Sequence, residues 1–167
     1  KKVSRFFGRR IRWSVAYQFT NSWLKPELGS SVKIQNPKNR FLADPFLIYR
    51  NGKHYCFVED FDYSKDQGCI SVYEIRKEGY SKLGKALVED FHLAYPYLFE
   101  FKGELYMCPD THAKNDIRLY KCVEFPLKWE FEKTLINNIS AVDTSIFFHE
   151  DRWWLISNMD YLSLIHI

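Results

Sequence analysis

Four carboxylates, Asp44, Glu59, Asp110 and Asp143, fall at matching places in three similar stretches of the chain. Paired carboxyl groups suit general acid–base work, in which one acid protonates a leaving oxygen and a second acts as base or nucleophile. That is the chemistry of glycosidic-bond cleavage, and it makes the four carboxylates catalytic candidates. Asp44 and Asp143 hold equivalent positions, and either Glu59 or Asp110 can serve as the acid. His92, Tyr95, Tyr97 and Trp153 are the substrate-binding candidates, because such side chains stack on sugar faces and bond hydroxyls.

Two other readings attach to the same residues. In a binding module the carboxylates accept hydrogen bonds from ligand hydroxyls and move no protons. In a structural role Asp44 caps backbone donors of its hairpin, while Glu59 and Asp110 are solvated loop acids. Trp153 or Trp154 then packs between sheets, since adjacent strand residues point to opposite faces. A further candidate, Asp60-Phe61-Asp62, has the Asp-x-Asp form that holds a divalent ion on a nucleotide-sugar diphosphate, but no nucleotide-binding βαβ pattern accompanies it. The histidines at 54, 92, 112, 149 and 166 show no HxxxH-type ligand spacing, so neither a metal site nor a cofactor is expected. His54 and His149 lie near hairpin turns, at the opposite end from the acids. His92, close to Tyr95, is the histidine to test.

The elements that must position these groups are hairpins. Phe41 to Asp60 is two apolar and aromatic runs around Asn51-Gly52, a strong two-residue hairpin signal because both turn residues must reach positive φ. Counting out from that turn, 50 pairs with 53 and Asp44 faces Glu59. Pro45 suits the first residue of a strand, where no ladder donor is needed. Ala94 to Asp110 turns at Lys102-Gly103 with Tyr95 facing Asp110, and Val142 to Asn158 turns at Glu150-Asp151 with Asp143 facing Asn158. Tyr95 thus fills the slot that Asp44 and Asp143 hold in their own units. A repeat near 50 residues built of short strands is the signature of a propeller blade.

The remaining segments fit that scheme. Residues 69–75 and 86–88 read as third and fourth strands of the first unit, and 117–123 and 133–136 as those of the second, with an outer turn at 125–129. The fold class is all-β, a β-propeller present as an incomplete fragment of about three blades, at about 40–90, 91–140 and 141–167. Residues 1–39 form an N-terminal arm with strands at 11–19 and 32–35 and irregular loops between them. The apolar tail 162–167 stands where a polar loop and a further strand are due, which points to a longer parent domain.

A net charge of +3 over 167 residues gives no reason to invoke nucleic acid. Lys1, Lys2, Arg5, Arg9, Arg10 and Arg12 precede the first acid, Glu27, and read as a solvated arm or as a contact for phosphate or an anionic surface. Cys56, Cys69, Cys108 and Cys122 form no CxxC pair and sit in apolar runs, so they read as small buried hydrophobes in a reducing, cytoplasmic setting. No run reaches the ~18 apolar residues of a membrane span, and no signal peptide is visible. The chain opens on Lys, so a lost leader or anchor stays open.

Six motifs in order carry a family resemblance: Phe41-Leu42-Ala43-Asp44-Pro45-Phe46-Leu47, His92-Leu93-Ala94-Tyr95-Pro96, Leu105-Tyr106-Met107-Cys108-Pro109-Asp110, Ile117-Arg118-Leu119-Tyr120, Phe125-Pro126-Leu127-Lys128-Trp129 and Val142-Asp143-Thr144. From about Arg40 to Asn158 the chain resembles the N-terminal domain family of glucosamine inositolphosphorylceramide transferase, which includes stand-alone bacterial relatives. That domain looks like the five-bladed propeller of glycoside hydrolase family 43, and the resemblance implies that Asp44 matches the general base of family 43. Two departures stand out: the family usually has Ser where Ala94 stands and Glu where Asp110 stands. The shorter acid shifts a reacting atom by more than an acid catalyst readily tolerates. The resemblance implies a glycan or glycolipid sugar as partner, in polysaccharide or glycolipid metabolism. It also implies a fused or associated glycosyltransferase domain that this chain does not contain.

Overall fold

The computed structural model describes residues 12–22 and 24–159. Most of the basic N-terminal run, His166 and the apolar tail lie outside the described residues.

Turn chemistry builds the first level. Asn51-Gly52 (φ 53° and 76°), Lys102-Gly103 (51° and 79°) and Glu150-Asp151 (49° and 58°) all adopt the left-handed pairs that match strand twist in a two-residue hairpin. They join β3 (Arg40–Arg50) to β4 (Lys53–Asp62), β7 (Ala94–Phe101) to β8 (Glu104–Asp110), and β11 (Ala141–His149) to β12 (Arg152–Met159). The first hairpin continues through β5 (Gln67–Arg76) and β6 (Gly79–Leu87) into a four-stranded antiparallel meander. The second does the same through β9 (Asp116–Glu124) and β10 (Lys128–Asn137). No α-helix occurs among the described residues.

The fourth strands are longer than the sequence suggests. β6 starts at Gly79, and β10 starts at Lys128, so Trp129 belongs to a strand and not to the outer turn. Its indole N–H donates to the Pro126 carbonyl at 2.9 Å, pulling the turn 125–127 onto the strand.

Three interfaces hold the units together. One face of the first sheet sets Phe57, Ile70 and Val72 against Leu93, Leu105, Met107, Tyr120 and Trp129 of the second unit. The second sheet's far face sets Cys108, Ile117 and Leu119 against Ala141 and Ile146 of the third. The N-terminal segment covers the first sheet's other face. There β1 (Ala16–Tyr17) pairs with β2 (Val32–Lys33), and Val15, Tyr17 and Ile34 pack on Val58, Tyr73 and Ile75. The Tyr17 hydroxyl donates to the Arg76 carbonyl at 2.9 Å, so its apolar body is buried while its polar end is satisfied. The strand expected over 11–19 shrinks to this two-residue bridge.

The first strands of the three units, β3, β7 and β11, lie side by side. This is the arrangement of a partial β-propeller, with the inner strands around an axis and each sheet stacked on the next.

One register expectation is corrected, three times over. Ala43, not Asp44, stands opposite Glu59, Ala94 stands opposite Asp110, and Val142 stands opposite Asn158. In each hairpin two residues on the inner strand (Asp44-Pro45, Tyr95-Pro96, Asp143-Thr144) oppose one on its partner, which is a β-bulge. Pro45 is therefore inside β3 and not at its start; a bulge tolerates a residue without an N–H because the ladder is interrupted there. The first bulged residue is left-handed each time, with φ of 48° at Asp44, 46° at Tyr95 and 56° at Asp143.

Candidate functional site

A bulge bends its strand and re-aims a side chain, and the first two bulges put Asp44 and Tyr95 in contact with the neighbouring unit. Asp44 Oδ2 accepts the backbone N–H of Tyr95 at 3.2 Å, tying the first bulge to the second. Tyr95 in turn places its hydroxyl 3.1 Å from Ser145 Oγ on β11. Phe46 meets the rings of both Tyr95 and Tyr97 edge-on, with centroids at 4.9 and 5.5 Å. Burial, with the neighbouring Tyr95, raises the Tyr97 pKa, so Tyr97 stays a neutral phenol in this wall. Asp143 repeats the geometry of Asp44 in the third unit, where the Asn158 amide reaches its Oδ2 at 3.4 Å.

A second chain of groups runs beside the first, on the strands that face the bulges. Glu59, opposite Ala43 and buried, has Oε1 3.6 Å from His92 Nε2. His92 is held from behind by the Gly68 backbone N–H, which donates to Nδ1 at 2.9 Å. Because an N–H can only donate, Nδ1 carries the lone pair and the ring proton sits on Nε2, toward Glu59. Gly68 is required here for space. A Cβ at this position would run into the Leu93 carbonyl oxygen and come within 3.0 Å of the His92 ring and 3.1 Å of Glu59 Oε1.

Asp110, also buried, accepts two bonds from His112 on the same oxygen: the backbone N–H at 2.8 Å and ring Nδ1 at 3.1 Å. The rings of His92 and His112 meet edge-on at 6.2 Å. Separate contacts thus link Asp44 to Tyr95, Phe46 to Tyr95 and Tyr97, Glu59 to His92, and His92 to His112 on Asp110, while Asp143 lies on the adjoining inner strand. His112 and Ser145 join them without having been singled out from the sequence. His112 carries no ligand-type spacing; the only local signal is an Asp two residues before it in a polar loop.

The contacts of Trp153 lie elsewhere, which corrects its grouping with His92, Tyr95 and Tyr97. It pairs with Phe148 beside the Glu150-Asp151 turn, and its ring packs on Phe101 at 5.3 Å and Phe99 at 5.9 Å. Its large apolar surface serves contact between the second and third units, at the far end from Asp143.

Asp60 and Asp62 are committed elsewhere. Asp60 is fully buried, with Oδ1 on Arg40 at 2.7 Å and Oδ2 on Ser71 at 2.7 Å and Lys82 at 2.9 Å. Burial opposes its ionisation, but the hydrogen bonds from Lys82, Ser71 and Arg40 outweigh burial and lower its pKa. Asp62 receives the side chain and backbone N–H of Ser64 and the second guanidinium nitrogen of Arg40, and is held down at about 2. This row of charges crosses all four strands of the first sheet, and its acids are neutralised by protein cations. Among the described residues no group of three or more His, Cys, Asp or Glu is arranged to hold a metal ion.

The four cysteines are free thiols; Cys56, Cys69 and Cys108 are buried and Cys122 half-buried. Burial pushes Cys56 and Cys108 up to about 12, which keeps these thiols protonated and inert.

Stacked antiparallel sheets with their inner strands side by side and a bulge at the same place in each define a partial propeller. The family model described as "Glucosamine inositolphosphorylceramide transferase 1, N-terminal" matches residues 13–164, and the chain belongs to that family. The proteins named glucosamine inositolphosphorylceramide transferase 1 from Oryza sativa subsp. japonica and from Arabidopsis thaliana are each 38% identical over 124 residues. The alignment covers 73% of this chain and 16% of each relative, so the chain corresponds to a small part of those proteins.

Proposed function

We propose that this domain is a carbohydrate-facing module that binds the sugar of a glycan or glycolipid headgroup at the mouth formed by Asp44, Glu59, His92, Tyr95 and Asp110. The observation that supports this reading is the threefold bulge, which repeats one left-handed backbone position, at Asp44, Tyr95 and Asp143, on three adjacent inner strands. Donors within the protein fix the Asp44 and Asp110 carboxylates in place, and recognition of hydroxyl groups depends on such fixed polar groups. The relatives bear the name of a glucosamine inositolphosphorylceramide transferase, and a polyol-rich headgroup is the ligand class these acceptors suit. The module then serves a glycosyltransferase domain, fused or associated.

A second reading, glycan processing, rests on a buried acid, Glu59, standing opposite Ala43, the residue before the bulged Asp44, across one strand pair. One experiment separates the two. Purified protein is titrated calorimetrically with glucosamine and with myo-inositol, and glycan substrates are followed for turnover. On the binding reading there is no turnover, and Asp44→Asn and Glu59→Gln each weaken binding by roughly tenfold, the loss of one charge-assisted hydrogen bond. On the processing reading Asp44→Asn abolishes turnover at near wild-type affinity. Binding insensitive to both substitutions removes the mouth from consideration.

A further inference from the structure

His112 is the residue at the mouth with an unusual hydrogen-bonding state. Asp110 Oδ1 accepts its backbone N–H at 2.8 Å and lies 3.1 Å from its Nδ1. An ionised carboxylate has no proton to give, so Nδ1 must be the donor and the neutral ring must carry its lone pair on Nε2. His92 has the opposite assignment. Its Nδ1 lone pair is occupied by the Gly68 N–H and its Nε2 proton is turned to Glu59, so it has no lone pair left for a ligand. The two rings touch at 6.2 Å, yet only one of them presents an acceptor. The His112 side chain is 39% exposed, and among the described residues no partner occupies its Nε2.

We infer that His112, oriented by Asp110, is a ligand-contacting residue whose Nε2 accepts a hydrogen bond from a ring hydroxyl of the bound sugar or cyclitol, while His92 positions Glu59. This rests on the carbohydrate-binding reading of the mouth. A carboxylate behind an imidazole fixes both the tautomer and the ring plane, so the acceptor is set before the ligand arrives. It also offers a hydroxyl a neutral acceptor beside carboxylates, so one rim can take up adjacent hydroxyls of a polyol without adding charge.

The test uses the chain labelled with 15N-histidine, read by two-bond 1H–15N correlation in alkaline buffer, free and titrated with glucosamine in one arm and myo-inositol in the other. The expected result is His112 as the Nδ1–H tautomer and His92 as the Nε2–H tautomer. Ligand addition then shifts His112 Nε2 far more than either nitrogen of His92. His112→Ala, at a half-exposed position whose folding is checked by its amide spectrum, weakens affinity by roughly tenfold. The arm in which that loss is seen distinguishes sugar from cyclitol. An Nε2–H tautomer at His112 overturns the inference. So does an unmoved Nε2 in a protein that still binds, and in that case the mouth survives as a binding site. Absence of binding to both probes by wild type overturns the reading of the mouth together with the inference.

Discussion

Replacing Asp44 separates the two things that residue does in the fold. Its backbone is left-handed, at φ 48°, and its carboxylate accepts the Tyr95 N–H across the boundary between the first two units. Left-handed backbone costs a Cβ-bearing residue about 1–2 kcal/mol, with Asp and Asn penalised least and Gly scarcely at all. A hydrogen bond to a charged group is worth about 1.5–3 kcal/mol, and partial exposure puts this one near the lower figure. Asp44→Ala loses the bond and keeps the strain, for about 2–3 kcal/mol. Asp44→Gly loses the bond alone, for about 1.5 kcal/mol, offset little by relief of strain. Asp44→Asn keeps the left-handed preference and an amide oxygen for Tyr95, and costs under about 1 kcal/mol. Urea denaturation followed by tryptophan fluorescence reads the order Asn, Gly, Ala from least to most destabilised. If Gly proves as damaging as Ala, backbone strain has no part in it. If Ala is neutral, the contact between Asp44 and Tyr95 does not hold the units together.

Two further outcomes follow from the same geometry. Gly68→Ala drives a methyl group into the Leu93 carbonyl and against His92 and Glu59, an overpacking that should cost about 1–3 kcal/mol and weaken sugar binding together with stability; unchanged urea midpoints refute it. Asp60 and Asp62 titrate lower in the folded chain than the ordinary carboxylate value of about 3.9, so their contribution is fully present above about pH 4 and is lost as pH falls through the folded values, toward about 2 for Asp62. A series of urea midpoints between those limits should therefore fall with acidity. Arg40→Met, which breaks the buried pair at a cost of about 3 kcal/mol, should flatten that slope.

Much of the architecture was readable from local chemistry. Asn51-Gly52 and Lys102-Gly103 announce tight hairpins because only certain residues tolerate two successive left-handed positions, and even Glu150-Asp151 fell where the flanking apolar runs required a turn. The repeat of these hairpins gave the meander units and their order. Register at the far end was not readable. Counting outward from a turn assumes an uninterrupted ladder, and a bulge of one residue defeats the count while leaving the apolar pattern looking regular. Pro45 and Pro96 hinted at the interruption, yet Thr144 shares the geometry without the hint. The roles of the acids were legible as residue types only. Asp60 and Asp62 looked available until Arg40, Lys82 and Ser71 came across from neighbouring strands, and Trp153 looked like part of the mouth until pairing with Phe148 put it beside its turn.

Sequence alone thus determined what few-residue interactions determine: where the chain reverses, which runs become strands, and that the unit repeats. Which side chains meet was decided by the stacking of one sheet on the next. The bond from Tyr95 to Asp44, the bond from the Gly68 N–H to His92 that sets the His92 proton, and the clash that a Cβ at Gly68 would make with Leu93 and His92 all join residues 24 or more positions apart. No local propensity encodes them, because each exists only once buried apolar faces have fixed the distance between neighbouring units.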